Sequence, residues 1–184
     1  MGRRLIGATF LAALAASSAG AAEPRPAFPA IQVTDLKGQT YQLKDFLGTA
    51  TVLNFWATWC GPCRMEMPEL QKIYNELGGK GLIVLAVDVD VPASSNEEGV
   101  VQELELVKPR IDAFLARTGV TLPVYLIDGK TQAALGVDRI PISFLLDGEG
   151  GVVRIYPGYS PESVKDLRQQ VIGVLAERSA KGGK

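Results

Sequence analysis

Residues 51–70 read TVLNFWATWCGPCRMEMPEL, and this stretch holds both cysteines of the 184-residue chain, Cys60 and Cys63. Its first six residues, Thr51 to Trp56, are mostly apolar, as a buried strand requires. From Arg64 to Leu77 apolar residues recur at helical spacing until Gly78-Gly79 ends the run. A second fully apolar run, Leu82 to Val87, follows. Strand, helix and strand in this order predict a right-handed βαβ unit and a parallel core. The cysteines then fall at the junction of strand and helix.

Outward from this unit, Ile31–Leu36 and Tyr41–Leu43 flank Lys37-Gly38-Gln39 and predict a β-hairpin, followed by a turn or short helix at Lys44–Leu47. Pro92 to Gly99 is polar and reads as a loop. Val100 to Thr118 has helical period but contains Pro109, which predicts two helices or one kinked helix. Leu122–Ile127 reads as a short strand and Thr131–Leu135 as a short helix. Ile142–Leu146 and Val152–Tyr156, joined by Asp147-Gly148-Glu149-Gly150-Gly151, predict an antiparallel hairpin. A last helix starts with Ser160 as N-cap and Pro161 at its first position and runs to about Arg178, leaving a frayed tail at Lys181–Lys184.

The chain carries 19 basic and 20 acidic residues, with no run of like charge that would mark a nucleic-acid-binding tail. Histidine is absent. That excludes a His triad, a His-ligated metal site and the covalent haem signature, in which His follows the second Cys; here that position is Arg64. At the N-terminus, Arg3 and Arg4 precede an uncharged run from Leu5 to Ala22, with Ala19-Gly20-Ala21 at cleavage spacing. Residues 1–22 therefore read as a signal peptide, the alternative being an uncleaved anchor, with one domain over 23–184. Membrane contact is expected only if the segment stays. Cleavage leaves 17 basic against 20 acidic residues. Either way the domain works outside the cytosol, in a periplasmic or other extracytoplasmic space.

Three readings of the cysteine pair compete. A disulfide closing four residues removes only about 2 kcal/mol of unfolded-state entropy, a poor return for a structural staple. A closed zinc site needs about four ligands, and no second cysteine pair or histidine exists to supply them. A working dithiol has a direct rationale. Cys60 meets the free N–H groups and partial positive charge of a helix start, which favour its thiolate. Gly61 permits the turn, and Pro62 has no N–H to leave unpaired in the first helical turn. Cys63, one turn on, faces inward and is placed to attack a mixed disulfide formed at Cys60. Trp59 is either an apolar rim beside the exposed sulfur or a core side chain. This chemistry needs no cofactor.

Trp59-Cys60-Gly61-Pro62-Cys63 resembles the thioredoxin active site in full, and Pro68 falls where thioredoxins have a helix-kinking proline. Ile140-Pro141, ahead of an apolar strand, resembles the family's cis-proline, which faces the dithiol and binds substrate. Asn54 to Cys60, together with Glu66, are similar to the TlpA/ResA branch of secreted bacterial thioredoxin-like proteins. The resemblance spans roughly Ala27 to Ala176. It implies an α/β fold, with a central mixed sheet flanked by helices, an N-terminal β-hairpin and an insertion, Pro92–Arg110, before the cis-proline half. Asn54 stands where thioredoxins keep a buried acid. Glu66, three residues after Cys63, matches an acid that in ResA-like proteins sits near the dithiol, and is expected to exchange a proton with Cys63; the alternative is an exposed helix carboxylate.

The expected function is thus a thiol–disulfide oxidoreductase, as a reductase of disulfides in exported proteins, apocytochrome c among them. The resemblance implies a membrane-embedded thiol donor of the CcdA/DsbD type that recharges it. Two alternatives stand beside it. A peroxiredoxin-like thiol peroxidase would carry Thr three residues before its reactive Cys, where this chain has Ala57. A non-catalytic interaction module would use the groove around Trp59 and Pro141.

Overall fold

The computed structural model describes residues 25–91 and 97–182. The expected signal segment lies outside these residues. Two buried strands form the centre, β3 (Ala50–Trp56) and β4 (Leu82–Asp88), parallel and in register from Ala50↔Leu82 to Trp56↔Asp88. Every residue of β3 is buried. This explains its run of apolar residues without alternation: a strand covered on both faces has no polar side to present. Helix α1 (Gly61–Leu77) makes the crossover between them.

A second crossover follows through α2 (Glu97–Thr118) to β5 (Val124–Leu126), which pairs parallel with β4. Two crossovers of the usual hand that step in one direction put α1 and α2 on the same face of the sheet. Side chains agree: Asn54 and Trp56, which share a face of β3, meet Glu66 of α1 and Phe114 of α2 respectively. After the short α3 (Gly129–Ala134), β6 (Ile142–Asp147) runs antiparallel along the other side of β3, and β7 (Val152–Pro157) closes that edge. The hairpin of β1 (Gln32–Asp35) and β2 (Thr40–Gln42) pairs antiparallel with β5. The sheet is mixed, in the order β2-β1-β5-β4-β3-β6-β7.

Helix α4 (Pro161–Gly182) packs against α1, β3 and β6. It begins with a reciprocal cap in which the Ser160 and Ser163 hydroxyls each accept the other residue's N–H at 3.0 Å. It runs four residues past the expected end, so the expected fraying does not begin at Lys181.

Helix α2 departs most from the reading of the sequence. It begins at Glu97, within the expected loop, and continues through Pro109 as one element. Pro109 removes one N–H and strands one carbonyl, that of Glu105, and both residues are exposed, where water can serve. The inward face of the expected insertion, Val100, Leu104 and Val107, is buried in the core. Residues 92–96 of it lie outside the described residues; from Val100 on, this segment contributes to the core rather than forming a surface loop. Among the described residues no helix is long and apolar enough to cross a membrane.

If α2 is core, Leu104→Ala should lower stability by about 2–4 kcal/mol in urea unfolding. Leu106→Ala, on the exposed face, should stay within about 0.5 kcal/mol of the wild type. Equal, small effects at both positions would place α2 outside the core.

Candidate functional site

The site forms where β3 ends and α1 begins. Cys60 is the N-cap of α1, with extended backbone, and its Sγ accepts the Cys63 N–H at 3.2 Å. The Cys60 N–H is held by the Ala57 carbonyl at 3.2 Å, which closes the turn leading into the helix. Pro62 lies in the first turn, where no N–H is required of it. Cys60 and Cys63 are joined by a disulfide with their Cα atoms 5.3 Å apart. Cys63 is fully enclosed, while Cys60 keeps 5% of its surface.

Trp59 is 69% exposed, so of its two readings the core side chain is overturned and the rim remains. The Ile140–Pro141 peptide is cis. Pro141 directly precedes β6, whose Ile142 pairs with Phe55, so it lies at the same end of the sheet as the cysteines. Pro141 is buried, its carbonyl accepts the Gly158 N–H at 2.7 Å, and Ile140 is half-buried. Arg64 is exposed on the first turn of α1, with Gly61, Met65, Phe114 and Thr118 lining a cleft beside it.

Glu66 is not an exposed helix carboxylate. Its surface is 2% accessible, and its carboxyl group meets β3 and β6. Asn54 Nδ2 donates to Glu66 Oε2 at 2.7 Å, and Ser143 Oγ lies 3.4 Å from Glu66 Oε1. Asn54 and Ser143 are direct cross-strand partners, and the second Asn54 amide hydrogen goes to Ser143 Oγ at 2.9 Å. Burial pushes the Glu66 carboxyl up to about 7, against the pull of the hydrogen bonds from Asn54 and Ser143. A group at that value changes charge in the range where thiol–disulfide exchange runs.

Three participants escaped the reading of the sequence. Ser143 was visible only as one polar residue in an apolar strand. Asp90 binds the turn before the cysteines, its Oδ2 accepting the Thr58 hydroxyl at 2.7 Å and the Thr58 N–H at 3.3 Å. Asp88, at the end of β4, is completely buried. The alternation of Val87-Asp88-Val89-Asp90-Val91 was the available signal, an apolar strand that turns acidic at one end.

Residues 24–172 match the AhpC/TSA family. Among curated proteins, the ResA thiol–disulfide oxidoreductase of Geobacillus thermodenitrificans is 33% identical over 145 residues, 78% of this chain and 73% of that protein. That of Geobacillus kaustophilus is 36% identical over 132 residues, 71% of this chain and 67% of that protein. The chain belongs to the AhpC/TSA family, among its ResA-like thiol–disulfide oxidoreductases. In the same family setting, a Chlorobium tepidum structure described as a candidate thiol:disulfide interchange protein DsbE superposes with a TM-score of 0.67 at 28% identity. The match covers 83% of this chain and 98% of that one, which makes the fold thioredoxin-like.

The raised Glu66 value has a consequence for stability. Below pH 4.5 the carboxyl is protonated in both folded and unfolded chains; between 4.5 and about 7 only the unfolded chain ionises. Stability contributed by the neutral group is therefore full below 4.5 and lost as pH rises through 7. The loss is at most about 3 kcal/mol for a shift of this size. Urea unfolding of the disulfide form at pH 4.5 and pH 8 should show it, with Glu66→Gln removing that part of the pH dependence. An unchanged dependence in the variant would mean that Glu66 titrates normally.

Proposed function

We propose that this oxidoreductase works as a reductase of disulfides in exported proteins, with Cys60 attacking and Cys63 resolving. The observation that carries the assignment is the position of Cys60 as N-cap of α1, where a backbone N–H already points at its sulfur. Such a donor, with the positive end of the helix dipole, favours thiolate over thiol. The Cys60 thiolate attacks one sulfur of a substrate disulfide, and the other sulfur leaves and takes up a proton. Cys63 then loses its proton and attacks the Cys60 sulfur, which releases the first substrate sulfur. Two electrons have passed to the substrate, and the protein is left with the Cys60–Cys63 bond.

Glu66, one helical turn beyond Cys63, is the proposed acceptor of the Cys63 proton. Trp59, Ile140 and Pro141 are the proposed substrate contacts. Trp59 supplies exposed apolar surface beside Cys60, and the half-buried Ile140 and the buried Pro141 stand directly ahead of β6 at the same end of the sheet. A domain of residues 23–184 exported by residues 1–22 would meet its substrates outside the cytosol, in the periplasm or tethered facing it. There it requires a thiol donor, and a membrane protein of the CcdA/DsbD type fits that need. Apocytochrome c, whose cysteines must be reduced before haem attachment, is the proposed substrate among exported proteins.

The test is reduction of insulin disulfides with dithiothreitol as electron source, run beside consumption of hydrogen peroxide. Cys60→Ser should abolish insulin reduction, and Cys63→Ser should accumulate mixed disulfides on Cys60. Alkylation of the reduced protein at mildly acidic pH should label Cys60 first. Trapping on Cys63 in the Cys60→Ser variant would reverse the roles, and peroxide consumption outrunning insulin reduction would make the protein a peroxidase.

A further inference from the structure

The face of the sheet beneath α1 and α2 carries more buried polarity than the Glu66 cluster uses. On β3 that face presents Asn54 and Trp56; the parallel register places Ala86 and Asp88 of β4 beside them. Among the described residues, Asn54 Oδ1, Trp56 Nε1 and Asp88 Oδ2 are all buried without a hydrogen-bond partner, and so is Oδ1 of the neighbouring Asp90. Buried polar atoms are nearly always paired, so a row of them at one end of two adjacent strands marks a place where polarity serves something other than stability. The row lies at the cysteine end of the sheet.

Asp88 stands out within it. Its other oxygen, Oδ1, accepts the Asp90 N–H at 2.9 Å, and Asp90 in turn grips Thr58 by its hydroxyl and its N–H. Thr58 is two residues before Cys60. On its other side Asp88 stands opposite Trp56, the last residue of β3, and the Trp56 carbonyl accepts the Val89 N–H at 2.9 Å. Asp88 is therefore linked to both ends of the segment that leads into the cysteine turn, to Trp56 by strand register and to Thr58 through Asp90.

We propose that Asp88 is a second proton-holding residue of the redox centre, a positioning residue that acts on the Cys60 thiolate through Trp56 and through the Asp90–Thr58 tether. The proposal rests on the thiol–disulfide reading above. The groups that face Asp88 define its field. Asp90 on its own strand end opposes its ionisation, and Arg110 of α2 favours it. β3 offers the uncharged Asn54 and Trp56, β5 offers Leu126, and Glu66 of α1 lies beyond Asn54 on the same face. Burial first and Asp90 second push the Asp88 carboxyl up to about 8, against a weaker pull from the Asp90 N–H and Arg110.

The chemistry follows from the order of the two acids. Near neutrality Asp88 is uncharged and adds no negative charge behind the Cys60 thiolate. As pH rises past the Asp88 value, a carboxylate appears beside Asp90 and opposes the thiolate. Glu66 sets the lower turning point of reactivity and Asp88 an upper one.

The experiment is the reduction potential of the Cys60–Cys63 pair against glutathione from pH 5 to pH 10 in the full-length protein, for wild type, Asp88→Asn and Glu66→Gln. An Asp88 carboxyl opposed by the Cys60 thiolate holds its proton more tightly in the reduced form, so the wild-type potential is expected to fall more steeply with pH around and above pH 8; Asp88→Asn removes that extra slope and leaves the lower turning point in place. Glu66→Gln does the opposite. A curve for Asp88→Asn that superimposes on the wild type overturns the proposal. Should Asp88→Asn lose its near-ultraviolet circular dichroism, the carboxyl ¹³C resonance of Asp88 in the wild type decides. A higher titration midpoint in the reduced form than in the disulfide form supports the coupling, and equal midpoints overturn it. Failure of the underlying oxidoreductase reading is separate: it would appear as a wild-type disulfide that does not equilibrate with glutathione at any pH.

Discussion

The contact that organises this molecule is the one between the Glu66 carboxyl and the Asn54 amide. It joins the first turns of α1 to the central strand, and through the Asn54–Ser143 bond it reaches β6 as well. A carboxyl group in that position is costly as an anion, because few water molecules can approach and only two donors face it. The same cost makes it responsive: its proton leaves near neutrality. The structure thus holds an acid of near-neutral affinity one helical turn from the enclosed sulfur of Cys63.

Everything around the cysteines depends on β3 ending where it does. The strand must be buried to its last residue so that Trp56 packs against Phe114, their ring centroids 4.9 Å apart, and the chain then turns at once into α1. The Ala57 carbonyl and the Asp90 carboxylate fix that turn from two sides. Cys60 emerges at the helix start with an N–H directed at its sulfur, and Trp59 beside it stands in solvent. Arg168 of α4 binds Glu76 near the far end of α1, which anchors the helix away from its reactive terminus. Reactivity at one end of α1 and fixation at the other are parts of one design.

Much of this was legible in the sequence, for physical reasons. Fully buried strands announce themselves as apolar runs, and β3 and β4 sit within a residue of where those runs lie. The cysteine spacing, with Gly61 and Pro62 between, defines a helix start by the geometry it permits. The cis peptide at Ile140–Pro141 was legible only through family resemblance, since proline alone does not distinguish the two isomers. At Pro109 the sequence allowed two helices or one kinked helix, and the chain keeps one helix; local rules could not choose because they do not see that the lost hydrogen bond falls on an exposed turn. The surroundings of Glu66 were hidden for another reason. Its partners lie 12 and 77 residues away in sequence, and nothing local says that a helix glutamate faces a sheet. Asp88 was hidden likewise, because its burial depends on the covering helix α2.

The central claim is that Glu66 is a neutral-range acid within the folded protein, and the carboxyl ¹³C resonance of Glu66 tests it most directly. Followed from pH 3 to pH 10 in the disulfide form, the resonance should titrate with a midpoint near 7. A midpoint at the ordinary carboxylate value of 4.5 would contradict the account, because the buried contact with Asn54 would then have no hold on the proton.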